Sequence, residues 1–367
     1  MNKKSISIIT IHSIYNYGSA LQSYATQKFI NGLGYDAKLI DYRPRYDKSL
    51  KRLIKDLAII VLFFNKYFKR KKNYAEFHYK KMKLSSKAYQ TYEELVKNPP
   101  ISDIYISGSD QVWNTYFPCG RDPVYTLEFV KSENKISYAA SMGRSDMSIN
   151  DLKTLANRIA DYKWISMREQ SGVEQLKKVD VESINVSDPV FLLSANYYRT
   201  ISTKSKYKNY ILVYSVHQSK ELSDIVEEYK RRLGLDVILV GDFPVKCYHD
   251  ISLKEAGPLE FLGLIDGADF IITNSFHCVS FSLILEKQFI AVMPKVNTSR
   301  ISNILGVAGL NNRAYESILN LPGKLEKIDY KKVTPRVSKY AEFSRKQLSN
   351  ILLTIQNEEK NTEYECV

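Results

Sequence analysis

The sequence predicts an α/β protein built from two doubly wound parallel sheets that face each other across a cleft. Three observations predict it. Short β-branched apolar runs alternate with amphipathic helical stretches along the chain, the pattern of repeated βαβ units. The runs fall into two series separated by the polar stretch Ser202-Thr203-Lys204-Ser205-Lys206. The length, 367 residues, exceeds what one hydrophobic core ordinarily supports.

Strands of the first series are expected at Ser5 to Ile11, Ala37 to Asp41, Asp103 to Ser107, Lys135 to Ala139, Trp164 to Met167 and Ile184 to Val186. The second series is expected at Tyr210 to Tyr214, Asp236 to Val240, Asp269 to Thr273 and Phe289 to Val292. Residues 1–203 then form an amino-terminal domain and 204–335 a carboxyl-terminal domain. Residues 336–367 form a final helix and tail, in which the amphipathic stretch Ser338 to Ile355 can pack on either domain. Open α/β sheets bind ligands beyond the carboxyl ends of their strands, so a site is expected between the domains.

Hydrophobic residues at 44% and charged residues at 25% exclude a disordered chain and a multi-span membrane protein. A net charge of +13 favours an anionic partner, but much of the excess sits in an insertion at 51–83 and describes that region's surface. Nucleic acid is therefore not the expected partner. Within the insertion, Leu57 to Phe64 is an apolar run too short for the ~20 residues of a membrane span. Lys51, Arg52 and Lys55 precede it, and Lys66, Lys69, Arg70, Lys71 and Lys72 follow it. Two readings fit: peripheral contact with anionic lipid through 51–72, or a buried helix with basic ends. Cys119, Cys247, Cys278 and Cys366 have no metal-binding spacing and are expected to be reduced thiols. The amino terminus enters a strand without the apolar core of a secretory signal, which predicts a cytoplasmic protein.

Gly32-Leu33-Gly34-Tyr35-Asp36-Ala37 matches a dinucleotide fingerprint in letters only, because it follows a helix and precedes a strand. The segment Ala268 to Ile284 reads as a buried strand, a polar turn and an apolar helix. With Ser275 or Asn274 as N-cap, His277 falls in the helix's first turn, where backbone N–H groups and the dipole favour an anion. An imidazole there can bind a phosphate or carboxylate, or deliver a proton; a structural histidine is the plainer alternative.

Asp269 to Ile284 occurs together with Tyr15 to Gln22, Gly108 to Asn114, Ala139 to Gly143, Ile165 to Glu169 and Ser187 to Val190. In their order along the chain, the six segments resemble the polysaccharide pyruvyl transferase family, with the likeness spanning about Ile6 to Arg313. The resemblance implies two Rossmann-like domains in a GT-B-like arrangement and phosphoenolpyruvate as donor substrate, with no cofactor or metal. The acceptor it implies is a sugar diol of a cell-surface polysaccharide precursor, which becomes a cyclic pyruvate ketal. A polyprenyl-diphosphate-linked oligosaccharide as acceptor would place the enzyme at the inner face of the plasma membrane.

By the same resemblance, His277 matches a histidine of donor binding and proton transfer, and Arg168 an arginine near the donor. Ser275 and Phe276 precede that histidine. Ser275 departs from the pattern, since several members carry arginine there, and Arg300, opening the helix after the next strand, is the candidate substitute. Cys278 stands where a glycine is common. Guanidinium forks suit the carboxylate and phosphate of such a donor, and an imidazolium suits protonation of its enol carbon. In the amino-terminal half, Asn16, Tyr17, Gly18, Ser109 and Gln111 sit at strand ends as candidate acceptor-binding residues, with Asp110 as a candidate catalytic carboxylate. Ser109 and Asp110 read equally well as helix caps. A glycosyltransferase using a nucleotide sugar is the alternative within the same architecture.

Overall fold

The computed structural model describes residues 3–47, 49–216, 219–241, 247–293 and 298–365. Cys366, expected as a free thiol, lies outside them; Cys119, Cys247 and Cys278 are free.

Strand β1 (Ser5–Ile9) leads into helix α1 (Tyr17–Gly32) and then β2 (Asp36–Tyr42). Helices α2 (Leu50–Leu62) and α3 (Phe64–Lys81) intervene before β3 (Leu84–Tyr89). Helix α4 (Tyr92–Lys97), β4 (Ile104–Ser107), β5 (Lys135–Ser137), α5 (Ile149–Arg158) and β6 (Tyr162–Trp164) complete a parallel sheet of order β3-β2-β1-β4-β5-β6. A small parallel pair, β7 (Ser166–Met167) and β8 (Ile184–Asn185), flanks helix α6 (Gln170–Lys177), and α7 (Ala195–Ile201) leads into the second domain.

There β9 (Tyr210–Ser215), α8 (Lys220–Leu233), β10 (Asp236–Gly241), β11 (Ile251–Ser252), α9 (Pro258–Gly267), β12 (Phe270–Thr273), α10 (Phe276–Ile284), β13 (Phe289–Val292), α11 (Ser299–Ala308) and β14 (Ala314–Tyr315) follow. Their sheet has the matching order β11-β10-β9-β12-β13-β14, again parallel. The central strands are buried on both faces, as continuous runs such as Tyr210-Ile211-Leu212-Val213 require. Local signals set the helix ends: Ser219 caps α8 by accepting from the Leu222 N–H at 3.1 Å, and Gly234, at φ 65°, closes it. Gly34 likewise turns the chain after α1 at φ 100°, so the fingerprint-like glycines belong to a helix exit.

Both sheets reverse their winding between the first strand and the fourth in sequence, at β1/β4 and β9/β12. Each switch point opens a crevice at the strands' carboxyl ends. The largest apolar cluster is shared by the domains: the Tyr17 ring stacks on Phe261 at 4.2 Å, and its hydroxyl donates to the Ala256 carbonyl at 3.0 Å. Helix α12 (Tyr330–Glu365) starts longer and earlier than the expected amphipathic stretch and packs on both domains. The Tyr330 hydroxyl donates to the Ser282 carbonyl at 3.1 Å, whereas Arg345 donates to the carbonyls of Phe191 and Leu192.

Three expectations change. Trp164 to Met167 is two strands in different sheets, broken at Ile165, and β3, β11 and β14 are additional edge strands. The insertion forms α2 and α3, and α2 is not a buried helix: Leu50, Leu53, Ile54, Leu57, Val61 and Leu62 are all exposed. Among the described residues no helix is long and apolar enough to cross a membrane.

Helix α3 also carries a pH-sensitive contact. The half-buried His78 ring lies 6.1 Å from that of His12, which in turn approaches Asp41 at 3.2 Å. Burial first, and then the charges of His12 and Arg43, push His78 down to about 4. Its folded pKa is therefore below its unfolded value of about 6.5. The unfolded chain takes up this proton first as pH falls, so the full stability above pH ~6.5 declines towards pH ~4 by on the order of 3 kcal/mol. Melting temperatures should fall across this window, and His78→Phe should flatten the decline. An equally steep decline in the variant would assign the proton to another group.

Candidate active site

A cleft of about 370 Å³ opens at the two switch points. From the first domain its wall includes Ile11, Ser13, Ile14 and Asn16 after β1, Pro44 and Tyr46 after β2, and Asp110 and Gln111 after β4. From the second it includes Val216 after β9, Asn274 to His277 after β12, and Arg300.

Three helix amino termini border this space. Asn16 caps α1, its Oδ1 accepting from the Ser19 N–H at 3.1 Å, and Ser275 caps α10, its Oγ accepting from the Cys278 N–H at 3.4 Å. Arg300 is the second residue of α11. Their dipoles favour negative charge in the cleft.

His277, on the first turn of α10, is nearly enclosed yet lines the cleft. Its Nε2 lies 3.3 Å from Oδ2 of Asp188, and the same oxygen accepts from Arg168 Nη1 at 2.8 Å. Asp188 Oδ1 accepts from the Val190 N–H at 3.0 Å. Burial opposes the Asp188 charge, but His277 and then Arg168 outweigh it and hold the carboxyl well below the usual carboxylate range. The other face of the imidazole rests on Gly18: a Cβ there would stand 2.0 Å from His277 Nδ1. Glycine at 18 is thus what makes room for the ring.

Arg168 is completely buried behind the cleft wall. Beyond Asp188 it sees Asp110 Oδ1 at 3.8 Å and Glu169 Oε2 at 3.9 Å, and its Nε and Nη2 make no hydrogen bond. Glu169 is anchored through Oε1, which accepts from Ser141 Oγ and from the Met142 and Gly143 N–H groups, each at 2.9 Å. The Phe276 ring lies beneath two guanidinium groups, those of Arg168 at 4.9 Å and Arg300 at 5.9 Å. Burial and then the like charge of Arg168 push Arg300 down to about 10, and its Nε makes no hydrogen bond. Asp110 adopts φ 76°, unusual for a residue with a side chain. Its Oδ2 accepts from Ser19 Oγ at 2.5 Å and its Oδ1 from the Gln111 N–H at 2.8 Å.

Of the residues expected at a site, His277, Asp110, Ser275, Phe276, Arg300, Asn16 and Gln111 come together on the cleft wall. Arg168 stands one layer behind them. Three expectations are corrected. Tyr17 turns into the domain interface, Gly18 supports His277, and Ser109 is fully buried away from the cleft. None of the three positions lines the cleft: Tyr17 and Gly18 open helix α1, whose successive residues turn about 100° around the axis, and Ser109 is fully buried. The carboxylates Asp188 and Glu169 received no role from the sequence. Glu169 adjoins Arg168 in the sequence, but Asp188 stands 20 positions away, and only folding brings the two strand ends together.

The arrangement offers a partly desolvated pocket with an arginine and a histidine on one wall and a carboxylate on the other. Among the described residues no group of three His, Cys, Asp or Glu side chains converges in a metal-binding arrangement. The sequence model of the family described as polysaccharide pyruvyl transferase matches residues 16–295. A search of curated proteins returns no match. Among solved structures, UDP-N-acetylglucosamine 2-epimerase from Rickettsia bellii is similar at 9% identity and TM-score 0.56, over 99% of both chains. S. aureus MnaA, solved with UDP, is similar at 10% identity and TM-score 0.54, over 97% of both chains. The Neisseria meningitidis UDP-GlcNAc 2-epimerase bound to UDP-GlcNAc is similar at 11% identity and TM-score 0.50, over 96% of this chain and 100% of that one. These likenesses are of fold, and the fold is GT-B.

Proposed function

The chain belongs to the polysaccharide pyruvyl transferase family, and from that premise we propose that it moves a pyruvyl group from phosphoenolpyruvate to a sugar diol. The acceptor is a cell-surface polysaccharide precursor carried on a polyprenyl diphosphate, and the product is a cyclic ketal with release of phosphate. The enzyme works at the cytoplasmic face of the plasma membrane and needs no cofactor.

The observation that carries this reading is the pairing of Arg300 with His277 in one cleft. Arg300 carries a desolvated charge, repelled by Arg168 and incompletely hydrogen-bonded, so an anionic ligand relieves an existing cost. The donor's carboxylate and phosphate supply that anion, with the helix termini adding to the field. Arg168, held by Asp188, contributes positive charge from behind Phe276.

His277 then delivers a proton to the donor's methylene carbon, which becomes the methyl group and leaves C2 electron-poor. One sugar hydroxyl adds to C2 and gives its proton to the Asp110 carboxylate on the cleft wall. The C2–O bond to phosphate then breaks, inorganic phosphate leaving with the bonding electron pair and taking up the proton held by Asp110. The second hydroxyl attacks the resulting oxocarbenium C2 and closes the ketal, its proton returning to the His277 imidazole. Asn16 and Gln111, on the Asp110 side of the cleft, are suited to bind the acceptor's hydroxyls.

Thermal melts test the donor. Phosphoenolpyruvate should raise stability by about 2.7 kcal/mol at a hundred times its Kd. Incubation with the donor and a panel of aryl glycosides should then give the pyruvyl mass increment. A shift with UDP-sugars and none with phosphoenolpyruvate would overturn the reading in favour of a nucleotide-sugar glycosyltransferase.

A further inference from the structure

Helix α2 exposes an apolar stripe that none of the described residues covers. Helical spacing places Leu50, Leu53, Ile54, Leu57 and Val61 on one face, and each is more than half exposed, from 52% at Leu57 to 76% at Val61. Phe64 and Phe68, their tilted rings 4.7 Å apart at the start of α3, extend the apolar surface and are themselves exposed. Such a contiguous patch marks an interaction surface.

Its charge indicates the partner. Lys51 and Lys55 lie beside the stripe on α2, and Lys69, Lys71 and Lys72 are exposed on α3; Asp56 is the sole acid between residues 50 and 72. A second copy of this face would bring like charges together. We propose that the α2–α3 face docks on an anionic lipid surface, with its apolar stripe in the headgroup boundary and its lysines on the acidic lipids.

Position ties this surface to the cleft. Pro44 and Tyr46 line the cleft, and α2 begins at Leu50 on the same chain segment. Helix α3 is fixed to both domains: Arg70 donates to the Tyr15 carbonyl at 2.6 Å, and Lys66 and Asn73 donate to the carbonyls of Ser252 and Glu255, each at 3.0 Å. Docking therefore sets the cleft beside the membrane at a fixed orientation. That the membrane delivers the acceptor rests on the function proposed above; the docking itself does not.

Flotation of the full chain with phosphatidylcholine vesicles, with and without phosphatidylglycerol, tests the docking in the absence of any substrate. The wild-type chain should float with the anionic vesicles. Leu57→Asp with Val61→Asp should reduce binding by more than about tenfold, since charge on the lipid-facing stripe opposes insertion. Lys51→Gln with Lys55→Gln should weaken binding and its salt dependence while leaving the stripe intact. Melting temperature and turnover on a soluble aryl glycoside should be unchanged in all, because these side chains lie outside the cleft. Wild-type protein that ignores anionic vesicles, or a Leu57→Asp/Val61→Asp chain that binds as wild type does, overturns the proposal. So does a wild-type dimer that the same pair of substitutions dissolves, which would assign the face to a second copy.

Discussion

His277→Ala should lower kcat by about 10² to 10⁴-fold while leaving the protein folded, the usual range for loss of a general acid. The fold should survive because the residue lines the cleft and its loss strands no charge: Asp188 keeps Arg168 at 2.8 Å and the Val190 N–H at 3.0 Å. Gly18→Ala supplies an independent test of position. Its new Cβ would overlap the imidazole, 2.0 Å from Nδ1, so the ring must move while remaining present. A displacement of that size costs on the order of 10² in rate when a reacting group depends on it. Turnover and melting temperature should therefore be read together: both variants should melt as folded proteins and lose rate, in His277→Ala because the ring is absent and in Gly18→Ala because it is displaced. Folded His277→Ala protein with near wild-type turnover would remove the residue from the chemistry.

What the sequence made legible follows from how local each signal is. The central strands stood out because runs such as Phe270-Ile271-Ile272-Thr273 are apolar on both faces of a parallel sheet. The edge strands β11 and β14 did not, since two residues at a sheet margin carry no period. The same limit splits the site. Ser275, Phe276 and His277 follow one another at a strand end, so their place in a helix's first turn could be read directly. Tyr17 and Ser109 adjoin true cleft residues, Asn16 and Asp110, and residue type alone does not say which way each side chain turns. Asp188 reads locally as the cap it also is, accepting from Val190. Its larger part, holding the buried Arg168 against His277, depends on three segments separated by 20 to 109 positions. In α2, spacing defined a stripe, while burial or exposure was set by whether another element arrived to cover it.

Arg300→Ala should loosen the donor and tighten the donor-free protein, a pair of opposite effects that a merely structural arginine would not produce. The guanidinium is desolvated, shares the Phe276 ring with the like charge of Arg168, and leaves Nε without a hydrogen bond. Removing it relieves that repulsion, a gain of about 1 kcal/mol after allowance for its partial exposure to solvent. It also removes a charge-assisted contact to the donor worth about 1.5 to 3 kcal/mol, a loss of roughly 10- to 150-fold in affinity. Asp188→Ala is the opposing control: it leaves Arg168 buried without its 2.8 Å partner and should cost about 3 to 5 kcal/mol of stability. Calorimetric titration of phosphoenolpyruvate beside urea unfolding of both variants reads the two signs directly. A donor affinity unchanged in Arg300→Ala would show that Arg300 does not replace the arginine missing at Ser275, and lower stability in the same variant would show that its charge is already neutralised inside the fold.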